Sequence, residues 1–196
     1  MGMAYRLMYL VGFTPWDGPL PPELKEVIDG AEALPPGRAL DVGSGKGSKA
    51  VYMAGHGWQV TGVEMVPRAL HEAQRRAAAA GVQVDFRLGD VTRLEQLGLT
   101  PGYSLVFDFG CYHGLKPAQR LAYAQGVNTI TGTGARLLLM GFTRALPPVP
   151  AGVTLAELKD GLGPAWELEW SRLHQGEGTS AMRSGRATWF CLLRTS

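Results

Sequence analysis

Short apolar runs recur along the chain, and each is bounded by glycine, proline or aspartate. Runs of roughly four to eight residues with such boundaries are typical of β-strands, and parallel strands that are covered on both faces are apolar throughout. The pattern therefore predicts β-strands at 38–43, 58–64, 83–88, 103–109 and 135–142.

The segments between these runs have helical periodicity instead. The clearest one begins at Pro67 and places Leu70, Ala73 and Ala77 on a single face. Because strands alternate with helices, the pattern predicts a parallel α/β sheet whose right-handed crossovers cover both faces. Helices are predicted at 21–31, 47–55, 67–80 and 117–130.

The end of the chain departs from this alternation. Two strand patterns, WELEWSRL at 166–173 and ATWFCLLRT at 187–195, are separated by a polar, glycine-rich stretch without a clear helix. They predict a terminal antiparallel hairpin, so the sheet as a whole is expected to be mixed.

Length and composition indicate one domain with a small-molecule partner. The chain has 196 residues, of which 45% are hydrophobic, enough for one core but not for a second domain. A net charge of +2 with 18% charged residues provides no strong field, and no basic run suggests nucleic acid as a partner.

The two cysteines and the N-terminus argue against other classes. Cys111 and Cys191 lack C-x-x-C spacing, so we expect neither a disulfide framework nor a metal site, and a reducing cytoplasm is predicted. No signal-peptide pattern, lipidation motif or membrane-spanning run is apparent. We therefore expect no membrane partner.

The most informative segment runs from Ala39 to Glu64, ALDVGSGKGSKAVYMAGHGWQVTGVE. Glycines at 43, 45 and 47 permit a sharp turn from strand to helix and let a ligand approach the bare backbone near the helix N-terminus. A carboxylate that ends the second strand is placed to accept hydrogen bonds from both hydroxyls of a ribose. The segment therefore predicts a pocket for an adenosine derivative.

Two common nucleotide motifs fit this loop poorly. The dinucleotide fingerprint needs the glycine order G-x-G-x-x-G, whereas serine stands at position 48. A P-loop needs G-x-x-x-x-G-K-[ST], but Leu40 lies five positions before Gly45, and Lys46 is followed by Gly47. The loop is therefore not a P-loop, and it matches the dinucleotide fingerprint, which binds a pyrophosphate, only imperfectly.

The pattern acid-x-G-x-G-x-G at 41–47 resembles the first motif of class I S-adenosylmethionine-dependent methyltransferases. Two further motifs of that family follow in order, DFRLGDV at 85–91 and SLVFDFGCYHGL at 104–115. The segment GFTPWDG at 12–18 is similar to the approach segment of a bacterial subgroup related to thiopurine and tellurite-resistance methyltransferases. The resemblance covers almost the whole chain.

This resemblance implies a Rossmann-like, seven-stranded, mostly parallel sheet with a C-terminal antiparallel hairpin and helices on both faces. It implies a single domain over 1–196, in which 1–34 form a cofactor-covering segment and helix and 35–196 form the core. The implied enzyme is a transferase of the EC 2.1.1 class that uses S-adenosyl-L-methionine, as a monomer or homodimer.

The resemblance also assigns roles to residues of the first two strands. Gly43, Ser44 and Gly45 would form the floor under the methionine part of the cofactor, Glu64 would bind the ribose, and Met65 would pack against adenine. From the residues alone, the loop remains open to interpretation as a tight turn, and Glu64 as a solvated carboxylate at a strand end.

Four further residues complete the implied cofactor site. Asp90 and Val91 would bind the adenine edge, Asp108 would border the sulfonium, and Trp16 would lie in a segment that folds over the cofactor. The alternatives are an Asx turn at Asp90, a structural cap at Asp108 and a core position for Trp16.

The loop after the fourth strand supplies candidates for the acceptor side. Open α/β sheets bind ligands over this edge, which makes Cys111 and Tyr112 substrate-pocket candidates. His113 is a candidate to accept a proton from the nucleophile at neutral pH, although a single histidine after a strand is more often a packed or capping residue.

Methyl transfer from a sulfonium is an in-line displacement, for which positioning and water exclusion can suffice. The resemblance therefore implies as acceptor a small molecule with a sulfur, nitrogen, oxygen or selenium nucleophile. Two alternatives remain open: an NAD(P)-dependent reductase and a non-catalytic S-adenosylmethionine-binding regulator.

Overall fold

A computed structural model describes residues 17–145, 151–175 and 187–196. Trp16 and most of the segment at 12–18 lie outside the described residues. The core is one seven-stranded sheet with the strand order β3-β2-β1-β4-β5-β7-β6. Its strands are β1 (Arg38–Val42), β2 (Gln59–Glu64), β3 (Asp85–Leu88), β4 (Tyr103–Phe109), β5 (Thr131–Phe142), β6 (Trp166–Leu173) and β7 (Ala187–Arg194).

The mixed character of the sheet is confirmed. Strands β1 to β5 pair in parallel, whereas β7 pairs antiparallel with both β5 and β6, so β7 is the one reversed strand. The hairpin predicted at the end of the chain is therefore present, with β7 inserted between its partner β6 and the parallel strands. The carboxyl ends of β1, β2, β3 and β4 all meet at one edge of the sheet.

Helices cover both faces of the sheet. Two apolar clusters lie on opposite sides, one around Tyr123 and Trp166 and the other around Met53 and Trp189. None of the described helices is both long and apolar enough to span a membrane. The helices are α1 (Pro22–Asp29), α2 (Ser48–Gly55), α3 (Pro67–Ala79), α4 (Pro117–Ile130) and α5 (Leu155–Leu162), with 3-10 helices at Val91–Leu97 and Tyr112–Gly114.

Two elements differ from the sequence prediction. Strand β5 begins at Thr131 rather than at 135, because β4 and β5 already pair there before the register shifts. Helix α5 was not predicted. Its N-terminus carries a readable signal, since the Thr154 hydroxyl accepts a hydrogen bond from the Glu157 N–H at 3.2 Å, the spacing of a Ser/Thr-x-x-Glu box.

Gly47 fixes how closely the glycine loop approaches the next helix. Its φ of 77° lies in the left-handed region, and a Cβ there would meet the Ala73 Cβ at 2.7 Å. The third glycine of the loop thus packs α2 against α3.

Candidate active site

The glycine loop is held against the end of β2 by its own backbone. The N–H groups of Gly43 and Ser44 both donate to the Val63 carbonyl, at 2.9 and 3.0 Å. Gly43 and Gly45 have φ values of 69° and 56°, in the region that favours glycine. A Cβ at Gly43 would lie 3.0 Å from Cys111, so the loop after β4 closes against this glycine.

Glu64 ties the loop to the strand edge through both carboxylate oxygens. Its Oε2 accepts from the Gly45 N–H at 3.0 Å, and its Oε1 accepts from the Val66 N–H at 2.8 Å. Burial raises the pKa of this carboxyl, and the backbone donors oppose that shift. The N–H groups of Gly43, Ser44 and Gly45 are thus used within the protein.

Three carboxylates, Asp41, Glu64 and Asp108, come together beneath the loop. Burial raises the pKa of Asp41 to about 7; the charge of Lys49 opposes this shift, whereas Asp108 and Glu64 add to it. Within the described part of the chain, Asp41 Oδ2 and Ser44 Oγ are buried without a hydrogen-bond partner. Buried polar atoms are normally paired, so these two atoms indicate a place for a polar ligand.

Lys49, which the sequence reasoning missed, brings a positive charge into this region. It is 6% exposed, and its Nζ lies 5.0 Å from the centroid of the Phe109 ring. Burial lowers its pKa, while Asp41 and Asp17 oppose that shift. Its position in the first turn after the glycine loop is the only sequence signal that we can assign to it.

A narrow pocket lies where the ends of β2 and β3 meet the loop. The Asp90 Oδ1 accepts from the Thr92 N–H at 2.9 Å and from its hydroxyl at 2.8 Å, which is the capping geometry of an Asx turn. Burial opposes ionisation of Asp90, but these hydrogen bonds outweigh it and its pKa is lowered. The pocket is lined by Gly43, Val63, Met65, Gly89, Asp90, Val91 and Leu115.

Asp108 caps the loop that follows β4. Its Oδ1 accepts from the Cys111 N–H at 2.7 Å and its Oδ2 from the Tyr112 N–H at 3.0 Å. The side chain is fully buried, and burial raises its pKa to about 7 against these donors. The structural cap is thus present, and contact with a sulfonium stays a prediction.

Cys111 and Tyr112 lie inside the protein. Burial, with the charges of Asp108 and Glu64, raises the pKa of the Cys111 thiol well above its usual value, so it is not a thiolate nucleophile. Tyr112 is 1% exposed, and its ring packs edge-on against Tyr123 at 5.2 Å. Their role in a substrate pocket stays a prediction.

His113 is buried against Phe142, with ring centroids 4.9 Å apart. Burial, helped by the charge of Arg120, lowers its pKa to about 4. Its Nδ1 is buried without a partner among the described residues. At neutral pH the imidazole is therefore unprotonated, but it is a weak base.

Arg120 is a second residue that the sequence reasoning missed. It is 2% exposed and joins the loop after β4 to the start of α5 through one guanidinium. Its acceptors are the carbonyls of His113, Leu115, Ala151 and Gly152 and the carboxylate of Glu157, at 2.8 to 3.2 Å.

An ion-pair network lies on the other side of the loop. The Lys46 Nζ is 3.6 Å from Asp17 Oδ2 and 3.8 Å from Glu72 Oε1, and Arg76 Nη1 is 3.2 Å from Asp17 Oδ1. Asp17 directly follows Trp16 in the sequence. The network therefore anchors the start of the described chain to the glycine loop and to α3.

Comparison with known proteins decides the family. Residues 39–134 match the model of a methyltransferase domain. A ubiquinone biosynthesis O-methyltransferase from Xylella fastidiosa is 31% identical over 183 residues, covering 84% of this chain and 71% of that protein. The chain belongs to the class I S-adenosylmethionine-dependent methyltransferases. Its cofactor is S-adenosylmethionine, and it is a methyltransferase enzyme.

One further relative and one solved structure are also similar to this chain. A 2-heptyl-1-hydroxyquinolin-4(1H)-one methyltransferase from Mycobacteroides abscessus is 26% identical, over 82% of this chain and 71% of that protein. The Burkholderia thailandensis 1,6-didemethyltoxoflavin-N1-methyltransferase has a similar fold, with a TM-score of 0.75 and 19% identity over 98% of this chain and 86% of that one. The likeness to the solved structure shows a shared fold.

The unpaired polar atoms beneath the loop are compatible with the polar part of this cofactor. Asp41 Oδ2 and Ser44 Oγ lie beside the glycines, and the narrow pocket places Met65, Asp90 and Val91 together. These residues fit a group with a polar amino-acid end and a flat base. Among the described residues, no three His, Cys, Asp or Glu side chains group in a way that would hold a metal ion.

Proposed function

We propose that this methyltransferase transfers a methyl group to a nucleophilic atom of a small molecule by in-line displacement. The observation that carries the proposal is the set of unpaired buried polar atoms beside the glycine loop, next to a narrow pocket at the same sheet edge. The proposed cofactor-binding residues are Trp16, Gly43, Ser44, Gly45, Glu64, Met65, Asp90, Val91 and Asp108.

The bound cofactor would supply an electrophilic methyl group on a sulfonium. The residues of the chain bind and orient: Glu64 accepts from the ribose hydroxyls while it holds the loop, and Asp90 accepts from the base through the carboxylate oxygen that Thr92 leaves free. Asp41 and Asp108 place negative charge beneath the loop. Such positioning reduces the barrier without a nucleophilic side chain.

Among the described residues, the acceptor side contains no strong base near the loop after β4. With a pKa of about 4, His113 is unprotonated at neutral pH but accepts a proton with little driving force. We propose His113 only as a weak base. Acceptors with an ionised hydroxyl, thiol or selenol, or with a free amine, are therefore favoured.

The relatives suggest the chemical class of the acceptor. Their names describe a hydroxyquinolinone, a ubiquinone precursor pathway and a toxoflavin precursor. We infer a planar ring compound as acceptor, with Cys111 and Tyr112 supporting the pocket from behind. No nucleic-acid partner, a monomer or homodimer and a cytoplasmic location are the accompanying predictions.

Calorimetric titration with S-adenosylhomocysteine, with NADH as control, tests the cofactor site. Binding of the first ligand alone is expected. A screen with isotopically labelled S-adenosylmethionine against phenols, hydroxyquinolines, amines and thiols then tests transfer. Binding without turnover of any acceptor would favour a non-catalytic regulator, and a preference for NADH would overturn the proposal.

A further inference from the structure

A buried polar cluster lies at the carboxyl edge of the sheet, beyond the cofactor residues. It consists of Glu23 from α1, His174 just after β6 and Trp189 from β7, with Phe109 beside them. Glu23 is 3% exposed, His174 is 8% exposed and Trp189 is fully buried. Neither the sequence motifs nor the proposed chemistry uses this cluster.

The hydrogen bonds fix which nitrogen of His174 carries the proton. The Trp189 Nε1–H lies 3.0 Å from His174 Nδ1, whereas Glu23 Oε2 lies 3.6 Å from the same nitrogen. An indole N–H can only donate, so Nδ1 is the acceptor in the shorter contact and has no hydrogen for Glu23. The neutral ring therefore carries its hydrogen on Nε2.

Two atoms of the cluster remain unsatisfied. Within the described residues, His174 Nε2 and Glu23 Oε2 are buried and have no hydrogen-bond partner. One is a donor and the other an acceptor, and both adjoin the same imidazole ring. Because buried polar groups are normally paired, this complementary pair indicates a ligand that presents both an acceptor and a donor.

The cluster adjoins the place where methyl transfer is proposed. Phe109 directly follows Asp108 and pairs across the sheet with Met140, which in turn pairs with Trp189. The ring centroid of Phe109 is 5.7 Å from that of Trp189 and 6.3 Å from that of His174. Phe109 is half-buried, so the residue that follows Asp108 also borders the cluster with its ring.

We propose that His174 and Glu23 bind the methyl acceptor, with the His174 Nε2–H donating to a ring carbonyl and Glu23 Oε2 accepting from the neighbouring N–H or O–H. The ligand class is a planar heteroaromatic lactam or its hydroxy tautomer, which carries such groups side by side. Both residues determine specificity and hold the ring; neither takes part in bond making. The inference rests on the proposed function, because it concerns the acceptor of that reaction.

The test uses the full-length protein saturated with S-adenosylhomocysteine, titrated with 2-quinolone and with N-methyl-2-quinolone. The second probe keeps the carbonyl but has lost the N–H. We expect the wild type to bind 2-quinolone and to bind the methylated probe about tenfold more weakly.

Matched variants separate the two hydrogen bonds. His174→Asn retains an acceptor for Trp189 but lacks the distal donor, so its affinity for both probes should fall about tenfold. His174→Gln retains the distal donor, so its affinity should fall less. Glu23→Gln should remove the preference for the unmethylated probe. The indole resonance of Trp189, assigned with Trp189→Phe, should shift when 2-quinolone binds to the wild type.

Each result decides between the inference and the proposed function. Affinity for S-adenosylhomocysteine should change less than about threefold in every variant, which shows that the cofactor site remains folded. The inference is overturned if the saturated wild type binds neither probe, or if His174→Asn and Glu23→Gln bind both probes as the wild type does. Failure of the wild type to bind S-adenosylhomocysteine would instead remove the proposed function, and this inference with it.

Discussion

The two halves of the carboxyl edge are built differently. On the β1–β2 side, backbone N–H groups of the glycine loop and of Val66 donate to the Val63 carbonyl and the Glu64 carboxylate, all within one strand–helix–strand unit. On the β4–β5 side, the loop after Asp108 is held by Arg120, whose acceptors include groups 31 to 37 residues away. The cofactor side is therefore a local motif, whereas the acceptor side depends on long-range side-chain contacts.

Among these variants, Arg120→Met should lose the most unfolding free energy. Its cofactor side should be unaffected. Removing a buried guanidinium leaves several carbonyls and Glu157 without a donor, which should cost about 3 kcal/mol of unfolding free energy. Chemical denaturation measures this loss. Affinity for S-adenosylhomocysteine in the folded variant should stay within about threefold of the wild type.

Arg136→Met provides the matched control. Arg136 makes a two-pronged pair with Glu169 at 2.7 and 2.8 Å, but both side chains are partly exposed. We expect a loss below about 1 kcal/mol. Equal losses in the two variants would contradict the role given to Arg120.

Glu64→Ala should strongly weaken binding at the cofactor side. It removes the acceptor for the Gly45 and Val66 N–H groups together with the proposed ribose contact. We expect the Kd for S-adenosylhomocysteine to rise about 100-fold, measured by calorimetry. Glu95→Ala, at an exposed position, should leave it unchanged, and a rise below threefold in Glu64→Ala would remove Glu64 from the cofactor site.

The pH dependence of Kd should differ between S-adenosylmethionine, which carries a positive sulfonium, and S-adenosylhomocysteine, whose sulfur is neutral. Burial raises the pKa of Asp41 and of Asp108 to about 7, so both carboxyls are partly protonated at neutral pH in the free protein. A sulfonium favours the ionised forms. The Kd for S-adenosylmethionine should rise by up to about tenfold per pH unit below 7, and more steeply than that for S-adenosylhomocysteine.

The same shifts affect stability with a definite sign. Since the folded pKa values lie above the ordinary value of 3.8, folding takes up protons between these limits. The free energy of unfolding contributed by these groups should fall as pH rises from about 4 to about 7. Asp41→Asn should flatten that slope in denaturant titrations, and an unchanged slope would contradict the assignment.

Asp17→Asn should have the smallest effect on S-adenosylhomocysteine binding. Asp17 contacts Lys46 and Arg76 at distances of 3.2 to 3.6 Å near the surface, so its loss should weaken S-adenosylhomocysteine binding by less than about 1 kcal/mol. The difference from wild type should shrink at high salt. Asp85→Asn, which disrupts an exposed pair with Arg87, is the control and should not change affinity.

Local patterns predicted most of the fold. Apolar runs and turn residues located the seven strands, and Pro67 marked a helix start. The glycine spacing predicted the loop because each glycine has a backbone reason to be there, including the close approach of Gly47 to Ala73. Whether Trp16 covers the cofactor stays a prediction, as does the division of the chain at residue 34.

The remaining features of the site depend on contacts with residues on other elements, which a short stretch of sequence does not show. Asp108 ends a strand in the sequence, but its role as a cap follows from where Cys111 and Tyr112 turn back. The low pKa of His113 comes from burial and from Arg120 on another element. A single histidine or arginine in a sequence carries no sign of such partners.

The point where β6 ends and β7 begins has a consequence for engineering. The His174 N–H donates to the Ala187 carbonyl at 2.9 Å, and Leu173 pairs with Thr188 directly below it. The two strands are therefore already closed before the chain enters residues 176–186. Replacing that segment with sequences of other lengths should therefore leave the pairing of β6 with β7 unchanged, which makes it a site for inserting foreign sequence.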